Sequence, residues 1–217
     1  MKLDMKTVLA ANLHETKNLM TQLMLRLDAM VVIDAAVRDA RFLCQQINDR
    51  MVQMLLLYEM QSEQLKPSIE AHHPADLLQE LAGNIRAWSG ERVSVEYEVD
   101  DNTPNDGYFD RALLEMALMN AVHNAFRHAT SRIVLRTGLR EHRLYFLVED
   151  DGQGFPPAVL ESAHDACMPV SHNGTGLGLY FAALIAQLHV NRGQRGALEL
   201  HNRTQGSGAQ FIILLPE

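Results

Sequence analysis

The sequence predicts an α+β protein in two parts, a helical hairpin over residues 1–66 and a mixed α/β domain over residues 67–217. Residues 2–62 carry heptad-spaced apolar positions and no strand signal. Alternating apolar runs appear only later, near Val93–Val99, Arg132–Leu139, Arg143–Asp150, Ala197–Asn202 and Ala209–Leu215. Helical stretches at 75–88, 108–129 and 176–188 interleave with those runs, which is the pattern of layered strands and helices.

The first predicted helix lines Met5, Leu9, Leu13, Met20, Leu23, Leu27 and Met30 along one side. In the second, Val37, Cys44, Met51 and Tyr58 recur every seven residues, with Ala40, Ile47 and Met54 offset by three. A turn near Ala29–Ala35 makes the pair a hairpin. Its apolar surface exceeds what two helices bury, so the expectation is a dimeric four-helix bundle. The methionines in the seam pack softly and tolerate more than one register. From Glu63 to Pro74 the periodicity breaks at Pro67 and Pro74, which marks the linker.

Beyond the linker, Ala75–Trp88 reads as an amphipathic helix and residues 100–107 as a loop. The helix Tyr108–Ala129 places Asn120 and Asn124 on one face, with Arg127 three residues further on. A hairpin turns at Arg140-Glu141-His142, and its second strand ends on Asp150-Asp151-Gly152-Gln153-Gly154-Phe155. Residues 155–173 lack periodicity and contain three prolines, so they read as a mobile lid. The run Gly174-Thr175-Gly176-Leu177-Gly178-Leu179 then opens an apolar helix. Helix N-termini with bare N–H groups hold anions, and glycine admits a phosphate closely. An amide-bearing helix, an acid at a strand end and a glycine-rich helix entry together describe a nucleotide site.

Composition narrows the alternatives. Hydrophobic content of 47% and charged content of 21% are those of an ordinary globular protein. The net charge of −8, with no basic run, argues against nucleic acid and anionic membrane as partners. No apolar run approaches a bilayer span and no signal peptide is visible, so the expectation is a cytoplasmic protein without membrane insertion. Cys44 and Cys167 lack metal-ligand spacing, and the ten histidines form no zinc pattern. No Gly-x-Gly-x-x-Gly follows an early strand and no Gly-Lys-Ser/Thr exists, which removes the dinucleotide and P-loop readings.

The three motifs, in this order and spacing, resemble the N, G1 and G2 boxes of the ATP-binding domain shared by histidine kinases, type II topoisomerases, Hsp90 and MutL. On the first helix, His14-Glu15-Thr16-Lys17-Asn18-Leu19 resembles the H box of histidine kinases, with Leu19 in place of the usual proline and Thr16 in place of an apolar residue. The segment ending Gly206-Ser207-Gly208-Ala209 resembles the final glycine motif, with Ala209 where threonine is usual. The resemblance implies a dimerisation and phosphotransfer hairpin followed by a catalytic α/β sandwich. His14 would then be the phosphoacceptor, Glu15 its proton partner, and Asn18 a residue that orients water when the partner is dephosphorylated.

By the same match, Asn120, Asn124, Arg127, His128, Asp150, Gly152, Gly154, Gly174, Thr175, Gly176, Leu177 and Gly178 would bind ATP. Asn124 would also hold Mg²⁺ through its amide oxygen. Asn120 stands where the ATPases and serine kinases of the superfamily carry a glutamate, and an amide takes no proton at neutral pH. It therefore points to a histidine kinase that phosphorylates an aspartate on a response regulator receiver domain, with possible phosphatase activity toward that regulator. The alternative is a histidine phosphotransferase or regulatory pseudo-kinase that binds nucleotide without autophosphorylating. Because the hairpin begins close to Met1, a separate sensor or regulatory protein is the expected source of control, with the chain itself a homodimer.

Overall fold

The structure is a computed structural model that describes residues 5–28, 35–61, 66–89, 93–164 and 177–217. The chain divides into two compact units, Met1–Lys66 and Pro67–Glu217. The first contains α1 (Met5–Asp28) and α2 (Ala35–Gln61), which pack against one another. The turn expected near Ala29–Ala35 falls largely outside the described residues, as does Cys167. In α1 the helix runs unbroken through Leu19, where a proline would have removed an N–H.

In α2, Cys44, Met51 and Leu55 are buried, whereas Ile47 and Met54 of the expected seam are 46% and 48% exposed. Leu43 beside them is exposed, as are Leu19 and Leu23 of α1. Of the expected seam residues whose side chains are described, Cys44 and Met51 are thus covered within the chain, Val37 and Ala40 partly, and Ile47 and Met54 are not. Asp49 lies on the same helix and accepts a hydrogen bond from Gln45 Nε2 at 2.8 Å. Burial pushes its carboxyl up to about 6 against the opposing hydrogen bonds from Gln45 and Asn48.

The second unit is built on a five-stranded sheet in the order β2-β4-β5-β9-β8, where β2 is Ser94–Val99, β4 Arg132–Arg140, β5 Arg143–Asp150, β8 Ala197–Asn202 and β9 Ala209–Pro216. Only β2 and β4 run parallel, and the chain between them contains α4 (Arg111–His128). Alternation along β4 and β5 sends Ile133, Leu135, Leu144, Phe146 and Val148 into the core. There they meet apolar faces of α3 (Pro74–Ser89) and α4, while α6 (Leu177–Leu188) packs on α4, β8 and β9; the helices bring in Leu77, Leu81, Ile85, Leu114, Leu118, Phe181 and Ile185. Each such side chain contributes about 1.5–3 kcal/mol by leaving water. The opposite sheet face carries exposed pairs, Arg132 with Glu96 and Arg136 with Glu98, which add little to stability.

Three expectations are corrected. Residues 70–72 belong to the expected linker yet form β1 (Glu70–His72), paired with β3 (Gly107–Phe109). The helix expected from Tyr108 therefore begins at Arg111. Asp110 caps it by accepting the N–H of Leu113 on Oδ1 at 3.0 Å, and Oδ2 accepts the N–H of Ser68 at 2.8 Å. The expected irregular lid contains α5 (Pro157–His164). Pro157 stands at the first helical position, where a missing N–H costs nothing, and the Pro156 carbonyl accepts the N–H groups of Val159 and Leu160. The short β6 (Val190–Asn191) and β7 (Gln194–Arg195) complete the chain.

Candidate functional site

Asp150 ends β5 and is buried at 6% exposure. Its Oδ1 accepts the N–H of Gly152 at 2.8 Å, and a second backbone hydrogen bond comes from Ala209 on β9. Burial raises its carboxyl above the ordinary value, while those two bonds and nearby His128 pull the other way.

Asp151, which the motif reading left without a role, fastens the end of α4 to the sheet. Its carboxylate accepts the N–H groups of Thr130 at 2.8 Å, Ser131 at 3.0 Å and Arg132 at 3.1 Å, and the Ser131 hydroxyl at 2.6 Å. Burial pushes this carboxyl up, but the Ser131 hydroxyl and the three backbone donors outweigh it and hold it far below the usual range. The two adjacent acids therefore divide the work. Asp150 is a desolvated acceptor, and Asp151 a permanent anion that anchors the 129–131 turn.

On α4, Asn120 and Asn124 are half-buried and Arg127 and His128 exposed. Asn120 Nδ2 is buried with no hydrogen-bond partner. It lies against Gly178 in the first turn of α6, where an added Cβ would stand 2.5 Å from Asn120 Oδ1. The amide helix and the glycine-rich helix entry are therefore in direct contact. Between the two asparagines, His123 is buried. Desolvation, then the charge of Arg127, brings it down to about 4.

His189 was not singled out by sequence and joins the far ends of the same two helices. Its Nε2 accepts the Asp110 N–H at 3.0 Å, so Nδ1 carries the proton and donates to the Ile185 carbonyl at 2.8 Å. Burial lowers its affinity for a second proton, against the opposing Ile185 and Asp110 contributions.

Asp150, Gly152, Gly154, Asn120, Asn124, Arg127, His128 and Gly178 all lie in the second unit, and Leu177 opens α6 there. Gly174, Thr175 and Gly176 are outside the described residues. In the first unit, His14 and Glu15 lie in α1 with side chains outside the described ones, and Asn18 is exposed on the same helix. Among the described residues no group of three His, Cys, Asp or Glu side chains could hold a metal ion. Half-buried Asn124 offers one neutral amide oxygen, a donor that suits a cation such as Mg²⁺, which takes its other ligands largely from phosphate oxygens and water. Among the described residues no helix is long and apolar enough to cross a membrane.

A mixed sheet backed by helices, with an acid at a strand end beside an amide helix and a glycine at a helix entry, defines a nucleotide-binding domain. Residues 109–217 match the family described as histidine kinase-, DNA gyrase B- and HSP90-like ATPases, and the chain belongs to that family. Its ATP-binding domain is of the sensor histidine kinase type. The chain is similar to the signal transduction histidine-protein kinase AfsQ2 of Streptomyces coelicolor, 30% identical over 113 residues that cover 50% of this chain and 20% of AfsQ2. It is also similar to the sensory histidine kinase/phosphatase NtrB of Rhizobium meliloti, 27% identical over 229 residues that cover 94% of this chain and 56% of NtrB. The chain thus spans from a fifth to little over half of these relatives. Full-length ShkA, solved in complex with AMPPNP, shares the fold at a TM-score of 0.67 and 21% identity, over 97% of this chain and 45% of ShkA.

Proposed function

We propose that this chain is an ATP-dependent protein-histidine kinase that autophosphorylates His14 and passes the phosphoryl group to an aspartate of a response regulator receiver domain. The observation that supports it most is the contact of Gly178 with Asn120, which brings the amide helix and the glycine-rich helix entry together. The same α4 ends beside Asp151 and Asp150.

In this reading Asp150 accepts a hydrogen bond from the adenine amino group. Guanine presents an oxygen there, so two acceptors would face each other and GTP is rejected. Arg127 and the N–H groups around Gly174–Gly178 bind phosphates, with His128 beside Asp150. The Asn124 amide oxygen would hold Mg²⁺, which would supply neutralisation of phosphate charge. A neutral nitrogen of His14 forms the bond to the γ-phosphorus as the bond to the β,γ-bridging oxygen breaks, and ADP leaves. Glu15 takes the proton that the imidazole sheds. Asn18, exposed on α1, orients water when the regulator is dephosphorylated.

The chain acts as a homodimer through α1 and α2, whose exposed Leu19, Leu23, Leu43, Ile47 and Met54 need a second helical pair to cover them. The test is labelling with γ-labelled ATP. Wild type takes up label and His14→Gln takes up none, while the two bind nucleotide equally. Label in H14Q at the wild-type level would show that the acceptor lies elsewhere.

A further inference from the structure

We infer that Asn202 is a positioning residue for the nucleotide site: it sets the bend at Gly152–Phe155 that follows the adenine-binding acid. Asn202 ends β8, on the sheet edge, and no motif pointed to it. Its Oδ1 accepts the N–H of Phe155 at 2.6 Å and its Nδ2 donates to the carbonyl of Phe155 at 3.0 Å. One side chain thus satisfies both backbone groups of one residue, as a neighbouring strand would. A carboxamide carries this donor and acceptor on the two arms of one planar group, which a carboxylate cannot do at neutral pH.

The other end of the bend is held as well. The Ser207 hydroxyl, from the turn between β8 and β9, donates to the carbonyl of Gly152. Gly152 in turn gives its N–H to Asp150. Between these ties Gly154 takes φ +85°, a left-handed conformation that suits glycine, and a Cβ there would stand 2.7 Å from Asn202 Oδ1. The bend is therefore templated from β8 and β9. The same hairpin supplies the Ala209 N–H to Asp150. The loop and the acid are registered to one element, so loosening Phe155 releases one wall of the base pocket while the acid stays in place.

This rests on the reading of Asp150 as the adenine-binding acid, and the test separates the two. Asn202→Asp is isosteric and keeps the acceptor for the Phe155 N–H. Ionised at neutral pH, it turns an oxygen toward the Phe155 carbonyl, where the amide had placed a donor. Asn202→Ala loses both bonds at every pH. ADP is titrated by calorimetry into wild type and both variants at about pH 8, where an exposed aspartate is ionised. Both variants should bind about 3- to 10-fold more weakly.

Hydrogen exchange at the Phe155 amide, measured without nucleotide, should be protected in wild type and fast in N202A. Unchanged ADP affinity in both variants, or Phe155 protection that survives in N202A, overturns the assignment. A simple loss of stability would speed exchange across the whole domain, whereas loss of the clamp speeds it at Phe155. If wild type takes up no ADP, the nucleotide reading fails, and Phe155 exchange alone decides the clamp.

Discussion

Gly178 and Asn120 meet with no room for a side chain between them: a Cβ at position 178 would stand 2.5 Å from Asn120 Oδ1 and closer still to Nδ2. The glycine at this helix entry is therefore required by its neighbour on α4 as well as by any phosphate. Gly178→Ala should displace the Asn120 amide and lower both nucleotide affinity and stability, the latter by about 1–3 kcal/mol as overpacking does. Asn120→Ala removes the obstacle, so G178A should cost less in that background. A double-mutant cycle by thermal melting reads this directly, and additive losses would mean that the two residues do not meet.

Asp150→Asn should weaken adenine nucleotide binding about 10- to 150-fold, the worth of a hydrogen bond to a charged group at about 1.5–3 kcal/mol. The asparagine can turn a donor toward the adenine amino group, so the preference for ATP over GTP should shrink as well. Competition titration with both nucleotides measures each effect. Unchanged affinity would remove Asp150 from the base pocket.

The pH dependence of stability follows from His123 and His189. Both are held below the ordinary value of 6.5 in the folded state, His123 at about 4. At pH below 6.5 the unfolded chain takes up protons that the folded chain refuses. Their contribution is therefore complete above about pH 6.5 and is lost as pH falls toward about 4. For His123 the loss is on the order of 3 kcal/mol at most. Asp150 works the other way, since its raised carboxyl binds a proton more readily when folded. Urea melts of residues 67–217 between about pH 7.5 and pH 4.5 should show falling stability, and His123→Gln should flatten the slope. An unaltered slope in H123Q would assign the effect to other groups.

The exposed stripe on α1 and α2 makes the oligomeric state a direct test. Leu19 is 59%, Leu43 57%, Ile47 46% and Met54 48% exposed in the single chain. Light scattering should find the full chain dimeric at micromolar concentration, and residues 67–217 monomeric yet able to bind ATP. A dimer that survives removal of residues 1–66 would place the interface elsewhere.

Sequence alone carried the elements whose signal is local. Period-7 and period-2 patterns marked α1, α2 and the strands β2, β4, β5, β8 and β9 near their observed ends, because side-chain direction along a helix or strand follows from backbone geometry. The motifs stood out only in combination, by the order and spacing of the amide helix, the acid at a strand end and the glycine-rich helix entry. Asp110 was missed as a cap, since the expected helix began at Tyr108, although an acid just before an apolar helical run is a capping signal.

What the tertiary structure decided is everything that depends on a distant partner. Residues 70–72 are a strand only because residues 107–109 pair with them, and β1 is too short to show a period of its own. Asp150 and Asp151 are alike in sequence, and they differ because one meets Gly152 and Ala209 while the other meets the end of α4. His189 and Asn202 have no local signature, since an imidazole spanning two helices and an amide pairing with a loop 47 residues away act across long sequence separations. Such contacts form only once the core has brought those segments together, so no pattern of neighbouring residues announces them.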